Sequence, residues 1–223
     1  MTTAIIVAAG KSQRMGAGTD KAFLSLVNKP VVAWSLLAFE RCADIDAIVL
    51  VVRKDQLVAS KAVARMFGIS KLRAIVPGGA RRQDSVRAGL AACDPNTRYV
   101  VVHDGARPCV TSALISDVVK AVSRAPAVAV GRRITDTVKR VEKGAAVAAT
   151  EDRDKLWVVQ TPQAFLLKTI RAAYEALGKR DVTDDCQAVE LAGETVRIYE
   201  NRAPNFKITT VEDLQIASAL LAK

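Results

Sequence analysis

With 223 residues, half of them hydrophobic, the chain is long enough to bury one sizeable α/β core, and no apolar run approaches the roughly 20 residues that a membrane-spanning helix needs. The net charge of +10 is spread along the chain, and with 4% aromatic residues little stands beside it to stack on bases. This composition argues against nucleic acid and for small anionic ligands such as phosphorylated molecules. The N-terminus lacks a basic segment followed by a signal-like apolar core, so a cytoplasmic protein is expected. Cys42, Cys93, Cys109 and Cys186 are widely spaced with no CxxC pair, and reduced thiols are expected rather than disulfides or zinc.

The first run, Ile5-Ile6-Val7-Ala8-Ala9, is apolar on both faces and reads as a buried parallel strand. It breaks at Gly10 into a polar loop carrying Lys11, Ser12, Arg14, Gly16, Gly18 and Lys21. Ligands of open α/β sheets sit at the carboxyl ends of strands, and glycines let backbone amides approach and cradle an anion. A polyphosphate is the expected guest. GKS at 10–12 is not a P-loop, because Ile5 stands where that pattern needs glycine. The dinucleotide fingerprint fails as well, since Gly16-x-Gly18 is followed by Lys21. On the loop alone, a plain strand-to-helix turn with solvated charges stays open.

Pro30 and the spacing of Val32, Leu36 and Phe39 predict a helix over 30–41. IDAIVLVV at 45–52 predicts a second buried strand, 55–67 a helix ended by Gly68, and LRAIV at 72–76 a third strand. Pro77-Gly78-Gly79 is another glycine turn after a strand, with a helix starting at Gln83. YVVVHDGARP at 99–108 predicts a fourth strand with an acidic and basic tip, followed by a helix over 112–124. This alternation implies a Rossmann-like, mostly parallel sheet flanked by helices and joined by right-handed crossovers. After residue 126 the rhythm changes. Short alternating segments around Lys143-Gly144 predict a hairpin that projects as a β-arm at about 132–160. Helical patterns return at 166–178 and 184–192, TVRIYE at 195–200 is a late strand, and Thr210-x-x-Asp213 predicts a capping box opening the last helix. With no repeat, linker or low-complexity segment, 1–223 reads as one domain.

Four charged groups come after strands or turns: Arg14 with Lys21, Arg81 and Arg82 with Asp84, Asp104 with Arg107, and Lys207. Three of them come after parallel strands, so their tips can converge on a crevice suited to a nucleoside triphosphate. Asp104 is useful there to a hydrated Mg²⁺ or a ribose hydroxyl. A helix cap or a structural pair with Arg107 accounts for it equally well. His103, the only histidine, precedes it at a strand end, where a hydrogen-bonded structural role outweighs general-base duty. One histidine and scattered thiols also argue against a catalytic triad or a zinc enzyme.

AAGKSQRM with Lys21 resembles the signature loop of the nucleotidyltransferases that activate sugars and polyols. Within that superfamily the blocks AAGKSQRM, GGARRQDSV, VHDGARPC, TDTVKR, EDRDKLWVVQTPQAF, VTDD and NFKITTVEDL run in order from residue 8 to 214. Together they resemble the methylerythritol phosphate cytidylyltransferases of non-mevalonate isoprenoid biosynthesis. The resemblance implies conversion of CTP and methylerythritol phosphate to CDP-methylerythritol and pyrophosphate with Mg²⁺ or another divalent cation. It implies that Arg14 and Lys21 hold the triphosphate and stabilise the transition state, with Arg153 and Lys207 as further catalytic cations. Ala8, Ala9, Gly10, Lys11, Gly79, Ala80, Arg82 and Ser85 would shape the nucleotide pocket, and Asp104 would lie beside the ribose and the metal. Arg107, Thr137, Arg153, Thr161 and Lys207 would surround methylerythritol phosphate. The resemblance further implies a homodimer whose arm crosses over, so that Thr137 and Arg153 serve the neighbour's site.

Ribitol-5-phosphate cytidylyltransferase shares the loop, GG and HD blocks, but TDTVKR and the block around Arg153 fit methylerythritol phosphate better. The chain departs from the family at Asp20-Lys21-Ala22, where Pro-Lys-Gln is common, and at Ala80, where an acidic residue is common. The alternative from another class is a non-catalytic nucleotide-binding regulator. A dehydrogenase is disfavoured by the missing fingerprint.

Overall fold

In this computed structural model, which describes residues 1–10 and 21–222, the first apolar run becomes β1 (Thr2–Ala8), buried at every position but Val7. A strand apolar on both faces belongs inside a sheet covered on both sides. β1 accordingly pairs in parallel with β4 (Ala47–Val52) on one flank and β6 (Tyr99–Asp104) on the other. Between β1 and β4 lie a small hairpin, β2 (Ser25–Leu26) with β3 (Lys29–Pro30), and helix α1 (Val31–Arg41). Next come α2 (Leu57–Met66), β5 (Leu72–Pro77) and α3 (Arg82–Ala91) before β6. After β6 come α4 (Ser112–Val122), β7 (Ala127–Arg133), β8 (Lys139–Val141), β9 (Val147–Thr150) and β10 (Trp157–Leu166). The chain closes with α5 (Leu167–Leu177), α6 (Asp185–Leu191), β11 (Val196–Glu200) and α7 (Val211–Leu221), the last opened by the expected Thr210–Asp213 capping box.

Seven strands form one sheet in the order β11-β7-β10-β6-β1-β4-β5. All pairings in it are parallel except those of β10, which runs antiparallel to β6 and β7. The Rossmann-like, mostly parallel sheet flanked by helices is therefore what the chain forms. Strand side chains alternate between faces, and this splits the interior in two. Ala4, Ile6 and Ala8 pack with Leu36 and Phe39 of α1 and Ile115 and Val118 of α4. Ile5 faces the opposite core with Val86 of α3, Ile170 of α5 and Val189 of α6.

Three departures from the sequence reading have a clear local cause. Pro30 stays extended and caps α1 from outside, because it pairs in the β2–β3 hairpin. The fourth strand ends at Asp104 rather than 108, where the Arg107 N–H turns back to the Asp104 carbonyl at 3.0 Å. The ten-residue β10 was not anticipated, because a register shift between Val159 and Gln163 breaks the period-two pattern.

The hairpin around Lys143-Gly144 is present, and β8 with β9 makes a separate two-stranded sheet. Gly144 and Ala145 both take left-handed backbone, φ 60° and 62°, as the central pair of a type I′ turn requires, and the Ala146 N–H closes that turn on the Lys143 carbonyl at 3.2 Å. Val141 and Val147 on this hairpin are exposed, as are Val158 and Val159 where β10 leaves it. The four cysteines are free, and among the described residues no helix is long and apolar enough to cross a membrane.

Candidate active site

The carboxyl ends of β1, β4, β5 and β6 surround a cleft of about 550 Å³. Ala8, Ala9 and Gly10 line it from β1, Gly78 to Arg82 and Ser85 from the β5–α3 turn, and Asp104 and Ala106 from the end of β6. Lys21, Ala22 and Lys207 complete the wall, with Arg53, Lys54 and Asp55 coming just after β4. Among the described lining residues, Lys21, Arg53, Lys54, Arg81, Arg82 and Lys207 face two acids, Asp55 and Asp104. Asp55 is already held by Arg53 at 2.6 Å. The balance attracts an anionic ligand, and the N-terminus of α3 adds its dipole on the same side.

The β5–α3 turn needs its glycine for close approach. A methyl at position 78 would stand 2.4 Å from the Ala9 Cβ and 2.6 Å from the Ser85 Oγ. The Ser85 hydroxyl then ties the turn together, accepting from the Gly79 N–H at 3.2 Å and donating to the Arg81 carbonyl at 3.3 Å. Arg81 is spent on structure: it chelates Asp84 through Nε and Nη2 and reaches Asp181 through Nη1.

Asp104 is the electrostatic centre. Its Oδ1 accepts from Arg82 Nε at 3.0 Å and its Oδ2 from Lys207 Nζ at 2.8 Å, with Arg107 Nε 3.7 Å away. Burial would push this carboxyl up, but the charges of Arg82, Lys207 and Arg107 outweigh burial and hold it well below the usual carboxylate range. A group depressed in the folded state contributes stability above its unfolded pKa, near 4, and loses that contribution as pH falls. Urea denaturation at pH 7 and pH 3 should show the wild type losing about 1 kcal/mol more than Asp104→Asn over that interval, because only the first unit below the unfolded pKa is crossed by pH 3. Parallel losses would refute the assignment.

Behind Asp104 a chain of hydrogen bonds fixes His103. The Asp104 N–H donates to Thr161 Oγ1 at 3.0 Å, and Thr161 Oγ1 lies 3.2 Å from His103 Nδ1. His103 Nε2 lies 3.3 Å from the Arg107 carbonyl, which can only accept. Nε2 therefore carries the proton, and the Thr161 hydroxyl donates to Nδ1. Burial pushes the His103 pKa down to about 3, so the ring is neutral and structural, as expected for its place beside a strand end.

Of the residues singled out in the sequence, the structure brings Ala8, Ala9, Gly10, Lys21, Gly79, Ala80, Arg82, Ser85, Asp104 and Lys207 to the cleft. Lys11 and Arg14 lie outside the described residues. Arg107 sits behind Asp104 and donates through Nη1 to the Asn205 carbonyl at 2.8 Å. Thr161 is buried in the relay and does not line the cleft. Thr137 and Arg153 are exposed near the β8–β9 hairpin, Arg153 donating to the Thr135 carbonyl at 2.7 Å, and neither lines this chain's cleft. Sequence reasoning missed Arg53, Lys54 and Asp55. Their signal was available, since RKD comes directly after a buried strand at the same sheet edge as the other tips.

A family model described as IspD, 2-C-methyl-D-erythritol 4-phosphate cytidylyltransferase, matches residues 2–223. The protein of that name from Desulforamulus reducens is 40% identical, with 99% of this chain and 95% of that one covered. Its counterpart from Clostridium botulinum is 42% identical over 98% of this chain and 96% of its own length. The crystal structure of 4-diphosphocytidyl-2C-methyl-D-erythritol synthase from Anaerococcus prevotii matches with a TM-score of 0.88 at 34% identity, covering 100% of this chain and 96% of that one. The 2-C-methyl-D-erythritol 4-phosphate cytidylyltransferase of Thermus thermophilus matches with 0.81 at 28% identity and 98% coverage of both chains. A basic cleft at the strand ends, seven ordered sequence blocks and full-length similarity in sequence and fold converge, and the chain belongs to the 2-C-methyl-D-erythritol 4-phosphate cytidylyltransferase family.

Proposed function

We propose that the protein transfers a cytidylyl group from CTP to 2-C-methyl-D-erythritol 4-phosphate, giving CDP-methylerythritol and pyrophosphate in non-mevalonate isoprenoid biosynthesis. The observation that carries this reading is the meeting of Arg82 and Lys207 on Asp104, with Lys21 in the wall of the same cleft, at the carboxyl edge of a parallel sheet. A phosphate oxygen of the acceptor attacks the α-phosphorus of CTP in line. That P–O bond forms as the bond to the departing pyrophosphate breaks. The attacking oxygen is already anionic, so no general base is required, in keeping with a neutral, buried His103. The obstacle is repulsion between anions and charge growing on the leaving group. Positioned cations answer both, the usual mode of phosphoryl-type transfer. In this reading Arg14 and Lys21 act on the triphosphate, Lys207 and Arg107 on the acceptor's side, and Ala8, Ala9, Gly10, Lys11, Gly79, Ala80, Arg82 and Ser85 around the nucleotide.

The donor set fits a divalent cation that arrives on the triphosphate. Mg²⁺ favours one or two carboxylates plus substrate phosphates, and Asp104 offers such a carboxylate, ionised and facing the cleft. Asp104 would hold the ion, which neutralises phosphate charge when bound. Among the described residues no cluster of three or more acidic, histidine or cysteine side chains provides a cage.

The same reading extends to assembly. Residues 1–223 form one nucleotidyltransferase domain with a β-arm at about 132–160, and two copies pair through it in the cytoplasm. Exposed Val141, Val147, Val158 and Val159 supply an apolar surface for such pairing, and two-fold association is the commonest solution. Thr137 and Arg153 then complete the neighbour's acceptor site.

Pyrophosphate release with a panel of nucleotides and polyol phosphates tests the reaction. Cytosine presents an N4 donor where uracil presents an acceptor, so a pocket built from backbone groups should prefer CTP over UTP by at least about 30-fold in kcat/KM. Equal rates with both nucleotides would remove the cytosine reading of residues 79–85. Preference for ribitol 5-phosphate over methylerythritol phosphate would reassign the acceptor.

A further inference from the structure

The VTDD block at 182–185 contributes nothing to the cleft wall, yet it ends on Asp185, a carboxylate with no solvent exposure at all. Asp185 is the first residue of α6. Its Oδ1 accepts from the Tyr174 hydroxyl of α5 at 2.5 Å. Burial and the Asp185 charge push the Tyr174 phenol up, so that hydroxyl stays protonated and donates. The other oxygen, Oδ2, lies 2.9 Å from Arg82 Nη2, close enough for an ion pair, although neither atom finds an aligned hydrogen bond. The same guanidinium donates through Nε to Asp104 Oδ1. Arg82 is therefore suspended between a carboxylate outside the cleft and one inside it.

Stability alone does not account for this arrangement. Desolvating a buried ion pair costs about as much as the attraction returns, and apolar replacements are often as stable. What the pair does supply is geometry. We propose that Asp185, itself held by Tyr174, is a positioning residue that anchors the Arg82 guanidinium, so that Arg82 meets Asp104 at Oδ1 and leaves Oδ2 turned toward Lys207 and the ligands. Freed from Asp185, the guanidinium can turn its fork onto both oxygens of Asp104, the geometry that arginine and carboxylate prefer. Lys207 then loses its partner, and the cleft loses the carboxylate oxygen that faces it. The proposal rests on the cytidylyltransferase reading of the cleft.

Asp185→Asn keeps the shape and an acceptor for Tyr174 while removing the charge. Tyr174→Phe removes a single hydroxyl. Each is made in the wild type and in an Arg82→Lys background, which keeps the charge without the fork. Pyrophosphate release from CTP and 2-C-methyl-D-erythritol 4-phosphate is measured alongside thermal unfolding. Asp185→Asn should lower kcat about 30-fold with KM for CTP moving less than about threefold, and Tyr174→Phe should lower kcat about fivefold. In the Arg82→Lys background neither should cost more than about a further twofold, because Arg82 carries the effect. Equal losses in both backgrounds, or a folded Asp185→Asn with wild-type kcat, would overturn the proposal. Should Asp185→Asn not fold, the two Tyr174→Phe comparisons decide by the same rule. A wild type inactive on these substrates would instead overturn the underlying reading of the cleft.

Discussion

Lys21→Ala should lower kcat by about 10²–10³-fold and leave KM for CTP within about fivefold, the pattern of a group that acts on charge developing in the transition state. Lys21 lines the cleft at the start of a short helical turn, and Ala22 beside it is buried, so the backbone that presents the lysine is fixed. A fixed cation stabilises the departing pyrophosphate without reorganising at the moment of reaction, which is why its loss falls on turnover. A barrier rise of about 3–4 kcal/mol corresponds to the loss of one such donor. Lys207→Ala should behave differently. Its ammonium pairs with Asp104 at 2.8 Å, and in the proposed reading it serves the acceptor, so the larger change should appear in KM for methylerythritol phosphate. Steady-state kinetics against each substrate separate the two. Near-normal turnover in Lys21→Ala would remove it from the chemistry.

Mixing two inactive proteins should restore activity. Arg153→Ala and Lys21→Ala homodimers should each retain below about 1% of wild-type turnover, because every site lacks one essential cation. After reversible dissociation and exchange, half of the dimers carry one chain of each kind. If Arg153 serves the neighbour while Lys21 serves its own chain, one site in each mixed dimer bears both lesions and the other bears neither. About a quarter of all sites are then intact, and the mixture should recover to about a quarter of wild-type turnover. The placement of Arg153, exposed near the β8–β9 hairpin and outside this chain's cleft, motivates the experiment. If both residues served one site, every site in a mixed dimer would carry a lesion and no recovery would appear. Native mass spectrometry of tagged chains verifies the exchange.

Much of the site was legible because its residues sit next to strong local signals. The five apolar residues Ile5 to Ala9 mark a buried strand, and the residues just past the carboxyl end of such a strand lie at the ligand edge of the sheet. The same logic located Gly79, Arg82 and Asp104. It was available for Arg53, Lys54 and Asp55, which also come just after a buried strand, but no motif drew attention to them. β10 escaped because its register shift between Val159 and Gln163 destroys the alternation on which strand recognition depends. Asp185 was invisible for another reason. Its partners, Tyr174 and Arg82, lie 11 and 103 residues away, and only the packing of α5 and α6 against α3 brings the three together. The Thr161 hydroxyl was read as a substrate contact through resemblance, and its position inside the relay depends on the antiparallel pairing of β10 with β6.

That relay has a consequence for how the sequence can drift. The Asp104 amide must donate, the Arg107 carbonyl must accept, and between them Thr161 and His103 each accept one hydrogen bond and donate another. Direction is thus imposed from both ends by the backbone, which no side-chain substitution alters except proline at 104, where the donating N–H would be lost. Serine can replace Thr161 because it keeps a rotatable hydroxyl, whereas valine breaks the sequence of donors at its middle. A new side chain at 103 must be able to accept on the Thr161 side and donate on the Arg107 side, and a replacement that cannot do both requires a compensating change at 161. Two positions 58 residues apart in the chain therefore behave as one heritable unit, and tolerated variation there should arrive in matched pairs.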